Sequence, residues 1–309
     1  MAIKGTLRPG DHAITSVLEH NSISRPLNQL ERNGTITLTR LPATADHLID
    51  PDAVTRAMTP RTRLVALTHA SNVTGTIQPI AEIGRLVRTR GALFLVDAAQ
   101  SAGVVPIDVE RDSIDLLAFT GHKGLLGPTG TGGLVVGERA TVCAWREGGT
   151  GGDSSNPFQP EELPYRLEGG TPNVFGIAGL REGVRWVLAR GPESVAAHDR
   201  GLLKTFLEEL GDLGRFQWYG AERNVIESGG AGRVGLLAFN LPAMTSSDLA
   251  ATLDTRHGVA VRAGLHCAPY AHRHLGTFPN GAARVSVGAL TTAEEVRVAA
   301  RALDEIARH

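Results

Sequence analysis

The sequence predicts an α/β protein: a large unit built on a mainly parallel sheet, followed by a smaller C-terminal unit of mixed α and β structure. Three observations carry that expectation. Short β-prone runs alternate with amphipathic stretches through the first half, as they do where crossover helices join parallel strands. Residues 92–96 (Ala-Leu-Phe-Leu-Val) are apolar without alternation, the signature of a strand buried on both faces. Glycine is frequent, at 37 residues, while aromatics make up only 5%, which favours tight turns and close backbone approaches over aromatic recognition surfaces.

In chain order, Ala13-Ile14-Thr15 is a short β-prone run ahead of a segment at 25–31, and 35–39 is β-prone again. Asp50-Pro51-Asp52 opens a helix, with an acidic cap and proline in the first turn. Residues 63–68 form a strand, and 79–90 an amphipathic helix that Gly91 ends. After the strand at 92–96 come others at 116–119 and 132–136. Residues 148–164, rich in Gly, Ser, Pro and Asn, make an extended loop. Apolar residues at helical spacing mark 173–190, and helix continues over 193–210. The C-terminal unit then has strands at 234–240 and 284–287, a short β segment at 259–262, and helices at 246–256 and 292–308. Two domains are expected, 1–190 and 191–309. Residues 1–5 resemble the middle of a helix, so the large domain is expected to start upstream of Met1.

Composition excludes several function classes. Lys plus Arg number 31 against 32 Asp plus Glu, a net charge of -1 that advertises no nucleic acid or anionic membrane partner. No apolar stretch approaches the roughly 20 residues of a membrane span. Two cysteines, Cys143 and Cys267, are too few for a disulfide framework, and nothing near Met1 resembles a secretory signal, so a reduced, cytoplasmic setting is expected. Gly230, Gly232 and Gly235 spell G-x-G-x-x-G, but a strand-like run follows where a dinucleotide site needs a helix; a turn is expected. The glycine-rich 127–132 lacks the Gly-Lys-Ser/Thr of a P-loop.

A stronger constellation lies at the ends of the expected parallel strands, where open α/β sheets bind ligands. Polar residues stand just beyond apolar runs at Thr68-His69-Ala70-Ser71-Asn72, Val96-Asp97-Ala98-Ala99-Gln100 and Thr120-Gly121-His122-Lys123-Gly124. A carboxylate placed directly after Leu93-Phe94-Leu95-Val96 is partly desolvated, so Asp97 needs a cationic or hydrogen-bonding partner. Lys123 sits among glycines that let a ligand approach the backbone, and a desolvated lysine is a Schiff-base nucleophile. Singly, His20, His69 and His122 read equally as hydrogen-bonded histidines, Asp97 as a helix cap and Thr120 as a turn residue; their shared placement favours a site. Cys267, flanked by Gly264 and His266 with Arg262 nearby, has an electropositive setting suited to a thiolate, whereas Cys143, in an apolar run, reads as a buried structural thiol.

Six motifs, Glu19-His20-Asn21-Ser22, Ser71-Asn72-Val73-Thr74-Gly75, Val96-Asp97-Ala98-Ala99-Gln100, Gly121-His122-Lys123, Gly169-Gly170-Thr171-Pro172-Asn173 and Arg262-Ala263-Gly264-Leu265-His266-Cys267, stand in a telling order. Together, from about residue 10 to the C-terminus, they resemble the class V aminotransferase-type, pyridoxal-phosphate-dependent enzymes of the cysteine desulfurase and selenocysteine lyase group. The resemblance implies fold type I of the pyridoxal-phosphate transferases and a substrate of L-cysteine or L-selenocysteine. It further implies that Lys123 binds the cofactor as an imine and moves the substrate α-proton, that Asp97 pairs with the protonated pyridine nitrogen, and that His20 stacks on the ring. Asn72 and Gln100 match residues near the cofactor hydroxyl, and Thr120 and His122 match phosphate ligands. Thr171 matches a residue that reaches the phosphate of the neighbouring subunit, which implies a homodimer. Cys267 matches the nucleophile that takes the sulfur as a persulfide while alanine leaves, and Arg284 the residue that holds the substrate carboxylate, with Arg262 close by. A sulfur-acceptor protein and iron–sulfur cluster assembly follow from the same likeness.

Members of that group are longer at the N-terminus, where a Gly/Thr turn at a helix N-terminus binds the cofactor phosphate, so part of the phosphate site is expected to be missing here. A desulfurase, a related lyase or aminotransferase, and an inactive truncated chain therefore remain open. So does a mononuclear zinc site from His266, Cys267, His272 and His274, although their spacing fits no common zinc pattern, and no metal is the expectation.

Overall fold

A computed structural model describes residues 1–152, 154–220, 225 and 229–308. Strands β1 (His12–Ser16), β2 (Thr37–Leu41), β3 (Thr62–Thr68), β4 (Leu93–Asp97), β5 (Leu116–Thr120) and β6 (Gly132–Val136) form one sheet in the order β2-β1-β3-β4-β5-β6. All neighbours in it are parallel except β5 and β6. Every residue of β4 is buried, which explains its unbroken apolar run. Phe94, Val96 and Val65 pack into one apolar cluster, while Leu93, Leu95 and Leu64 pack into another, so the two faces of the sheet each carry a core.

The crossover helices are set by local chemistry. α1 (Ala2–Thr6) precedes β1, and α2 (Asn21–Arg32) is capped by the His20 imidazole. α3 (Pro51–Ala57) begins where the Asp50 carboxylate accepts the Asp52 N–H at 2.9 Å, with proline supplying the fixed φ of a first turn. α4 (Ile80–Thr89) is followed by Gly91 in the left-handed region at φ 77°. Among the described residues of 148–164 there is neither helix nor strand. α5 (Val174–Arg190) and α6 (Pro192–Leu210) meet at Gly191 and lead to a second, antiparallel sheet of β7 (Gln217–Tyr219), β8 (Leu236–Asn240), β10 (Ala282–Ser286) and β9 (Arg262–Gly264), in that order. α7 (Ser246–His257) and α9 (Ala293–Ala307) complete it, with the short α8 (Pro269–His274) between β9 and β10. Leu203, Phe206, Phe239, Leu249 and Leu303 build its core. α9 starts with a capping box in which Thr292 and Glu295 satisfy each other's backbone N–H groups.

Several expectations shift. The β segment expected at 259–262 is paired only from Arg262 to Gly264; Val259 and Val261 pack on the core without ladder partners. The expected strand at 35–39 runs from Thr37 to Leu41, in register with β1. The G-x-G-x-x-G run is a turn before β8, with Gly230 and Gly232 at positive φ. Cys143 is exposed, contrary to the buried setting its apolar neighbours suggest: Val142 faces the core, and the next residue turns its thiol out to within 2.6 Å of the Arg8 guanidinium. No helix among the described residues is long and apolar enough to cross a membrane.

Candidate active site

The carboxyl ends of β3, β4 and β5 open into a cavity of about 410 Å³ lined by Thr68, Asn72, Asp97, Gln100, Thr120, His122 and Lys123, with His20 and Ser22 arriving from the start of α2. Asp97 ends β4, and both its oxygens are oriented: one accepts the Ala99 N–H at 2.9 Å and the other the Ser22 hydroxyl at 3.0 Å. His20 accepts the Ser22 N–H at Nδ1, so the neutral ring carries its proton on Nε2. Burial holds His20 below the usual imidazole range, with Lys123 and Arg25 adding and Asp97 opposing. Glu19 is fully buried beside Ser16 and is pushed up to about 8, by burial first and by Asp97 after it, although the Ser16 hydroxyl opposes. Near pH 7 this favours the neutral form of Glu19, and Asp97 is the acidic side chain that lines the cavity.

Lys123 sits in the turn after β5, closed by Leu126 N–H to Lys123 O (2.9 Å) and Gly127 N–H to Gly121 O (2.7 Å). Gly183 of α5 lies against the backbone of Leu125 and Leu126, so close that a Cβ would collide with it. The Lys123 side chain reaches solvent, yet protein surrounds the cleft, and its ammonium is lowered from its ordinary value. Desolvation is the main cause, Arg284 adds to it, and Asp97 and Cys267 pull the other way. Thr120 and His122 pair at 2.9 Å on the same rim.

The antiparallel sheet brings the second set of groups. Cys267 is exposed in the turn between β9 and α8. Its carbonyl accepts the Asn21 N–H at 2.7 Å, and the preceding carbonyl, that of His266, accepts the Asn72 amide at 2.6 Å. Arg284 of β10 donates to Asn72 O at 2.8 Å and to Ser286 at 3.0 Å, and Arg262 is its cross-strand neighbour on β9. Burial, with Arg262 behind it, lowers the Arg284 guanidinium. A second cavity of about 250 Å³ is lined by Lys123, Gln100, Arg284 and Asp199, the last pushed up to about 6 by burial. A further cavity, about 680 Å³, shares Ser22 and Asp97 but is otherwise mostly apolar, with Ile3, Leu95, Leu134 and Trp145 among its walls, and it offers the chemistry little.

The expected residues divide accordingly. His20, Asn72, Asp97, Gln100, Thr120, His122, Lys123 and Arg284 line the two cavities, and Cys267 and Arg262 adjoin them. Thr171 lies exposed on the loop before α5 and lines none of these cavities, and His69 is buried beside them with no cavity contact. The zinc reading is overturned: His266 and His272 hydrogen-bond each other, and among the described residues no group of three or more His, Cys, Asp or Glu is placed to hold a metal. Ser22, Glu19 and Asp199 were assigned no part from sequence. Asp199 had a legible signal, a carboxylate on the stripe shared by Leu202, Leu203, Phe206 and Leu210.

The class V aminotransferase family model matches residues 1–298. The chain is 34% identical over 307 residues to a probable cysteine desulfurase of Methanothermobacter thermautotrophicus, covering 97% of this chain and 74% of that one. It is 33% identical to another of Halalkalibacterium halodurans, covering 98% and 72%. The chain belongs to the class V aminotransferase family. Among solved structures, this class V chain matches the apo cysteine desulfurase of Thermococcus onnurineus with a TM-score of 0.84 at 32% identity. It matches the Escherichia coli cysteine desulfurase CsdA, in its S-sulfonic acid form, at 0.85 and 30%; each match covers 98% of this chain and 74% of the other. The fold is that of the type I pyridoxal-phosphate transferases.

Proposed function

We propose that this chain is a pyridoxal-phosphate-dependent cysteine desulfurase that takes sulfur from L-cysteine onto Cys267 and releases alanine. The observation that carries this is the convergence of Asp97 and Arg284 on two cavities that share Lys123, with the exposed Cys267 close enough to act on Lys123. The residues present fit the cofactor: a lysine lowered by desolvation suits an imine, and Asp97, with both oxygens already oriented, suits a protonated ring nitrogen. Bound there, pyridoxal phosphate supplies an imine-forming carbonyl and an electron-withdrawing ring. Of the residues lining that cavity, His20 would cover the ring, Asn72 and Gln100 would lie by its hydroxyl, and Thr120 and His122 would hold the phosphate. Arg284 holds the substrate carboxylate as a guanidinium fork, and Arg262 adds positive charge beside it. Lys123 moves the proton on the substrate α-carbon. The Cys267 thiolate attacks the substrate sulfur: an S–S bond forms, the carbon–sulfur bond breaks, and its electron pair stays on the three-carbon fragment, which takes a proton and leaves as alanine.

In this proposal residues 1–190 and 191–309 are the two domains, and two copies share their sites through Thr171. The persulfide sulfur then passes to an acceptor protein, as iron–sulfur cluster assembly requires. The test is to supply L-cysteine to the cofactor-loaded chain, quantify alanine and sulfide, and map bound sulfur by peptide mass spectrometry. Without a reductant, alanine is expected with Cys267 heavier by one sulfur atom; with an added thiol reductant to free the persulfide sulfur, alanine and sulfide are expected in equal amounts, and pyruvate in place of alanine would sink the proposal.

A further inference from the structure

Two consecutive residues of the thiol loop, His266 (φ 50°) and Cys267 (φ 56°), lie in the left-handed region without being glycine, so something must hold them there. Part of the hold is backbone clamping by Asn21 and Asn72, described above. The rest is a buried side-chain relay. His266 Nδ1 is 3.2 Å from His272 Nε2, and His272 Nδ1 is 2.7 Å from the Thr277 hydroxyl; His266 and His272 are 5% and 0% exposed. The protons can be assigned. Arg262 O, 3.4 Å from His266 Nε2, only accepts, so that nitrogen carries the proton. His266 Nδ1 then accepts from His272 Nε2–H, and the Thr277 hydroxyl is shared between His272 Nδ1 at 2.7 Å and the His272 carbonyl at 3.3 Å. Each imidazole is neutral, each ring nitrogen is matched, and the relay runs one way from Thr277 to the residue before Cys267. An apolar core needs no such chain, and burying two imidazoles without partners is unfavourable. The same carbonyl that closes this loop binds Asn72, whose own carbonyl receives Arg284, so thiol loop and carboxylate anchor share one residue.

We propose that His272 and Thr277 are positioning residues for sulfur transfer: through His266 they fix the turn that presents Cys267 to the cleft. The proposal rests on Cys267 being the sulfur-accepting thiol. Its test compares Thr277→Val and His272→Phe, which keep shape and remove the relay, with Thr277→Ser, which keeps the hydroxyl. Steady-state kinetics with L-cysteine are measured on the cofactor-loaded protein, together with cofactor absorbance and hydrogen exchange of peptides covering 264–272. The relay predicts that Thr277→Val and His272→Phe lower kcat about tenfold or more with KM within twofold. Exchange at 264–272 speeds up while that of β3 and β4 is unchanged, and Thr277→Ser restores both. Parent-like kcat and exchange in both variants overturn the proposal, as does a uniform loss of stability and cofactor binding with no kcat-specific effect. Failure of the underlying assignment is distinguishable: turnover surviving in Cys267→Ala would remove the thiol's role while leaving the exchange result standing.

Discussion

Lys123 and Asp97 line the same cavity, and what each residue does there is testable alone. Lys4 and Lys204 are the other lysines of the chain. Borohydride reduction of the cofactor-loaded protein is expected to fix the pyridoxyl group on Lys123, and mapping it to either of the others would remove Lys123 from its role. Lys123→Ala should lower turnover by at least about a hundredfold, the usual share of a positioned proton carrier. Arg284→Lys keeps the charge and loses the fork, so KM for cysteine should rise roughly 10- to 100-fold, equivalent to about 1.5–3 kcal/mol for a charge-assisted pair. Cys267→Ala should abolish alanine and sulfide release while cofactor absorbance stays, because the thiol lies in the turn after β9 and Asp97 and Lys123 at the ends of β4 and β5. Cys143→Ala should match the parent: its thiol is exposed beside Arg8, among residues that line none of the site's cavities.

At the scale of elements, buried titratable groups at the start of α2 and around α8 make stability depend on pH in opposite senses. Glu19 has a folded pKa raised from 4.5 to about 8, so its contribution is full below 4.5 and is lost as pH rises through 8. His266 and His272 are lowered from 6.5 to about 4 by burial, with Arg284 and Arg262 also acting on His266; their contribution is full above 6.5 and is lost as pH falls toward 4. Well above pH 6.5 the histidines are neutral whether folded or unfolded, and there Glu19 contributes a fall of at most roughly 1.4 kcal/mol per pH unit, opposed by the Met1 amino group, which burial and Lys4 lower from its ordinary value. Urea unfolding at pH 6.5, 7.5 and 8.5 should show that fall in the parent and a flatter profile in Glu19→Gln. An unchanged profile in the variant would mean that Glu19 is ionised in the folded chain.

These same elements show how far sequence alone reaches. β3, β4 and β5 were legible because burial on both faces writes a continuous apolar run, and α3 because Asp50 and Pro51 are local signals that need no tertiary partner. β9 was misplaced because Arg262 to Gly264 become a strand only by pairing with β10, some twenty residues on in the sequence. β7 has three residues, and α8 has six, with Ala268 before it offering no side-chain cap, so neither leaves a periodic trace. Asp97 and Lys123 were readable from their place after apolar runs. The bonds of Ser22 to Asp97 and of Asn72 to the His266 carbonyl were not, since the groups they join lie 75 and 194 residues apart.

For the whole molecule, the proposed dimer needs an apolar contact face, and the exposed surface around α5 offers one. Val174, Phe175 and Ile177 are all exposed, Phe175 at 92%, and the neighbouring loop adds Phe158, Leu163 and Tyr165. An apolar patch of this kind on a chain with net charge near zero favours association with a partner over life as a monomer. Thr171 stands directly before that patch and lines none of its own chain's cavities, the placement the proposed dimer requires of a residue that serves a neighbour's site. The decisive measurement is complementation. In a dimer of Lys123→Ala with Thr171→Ala, one site combines both losses while the other receives an intact Lys123 from one copy and an intact Thr171 from the other. Mixing the two inactive or weakened variants under conditions that exchange subunits should therefore restore about a quarter of parental activity, half the dimers being mixed with one working site each. Phe175→Asp, which places a charge in the patch, should yield monomers by sedimentation and block the rescue. If mixing restores nothing although exchange is demonstrated by a tagged copy, each chain completes its own site and Thr171 acts, if at all, within it.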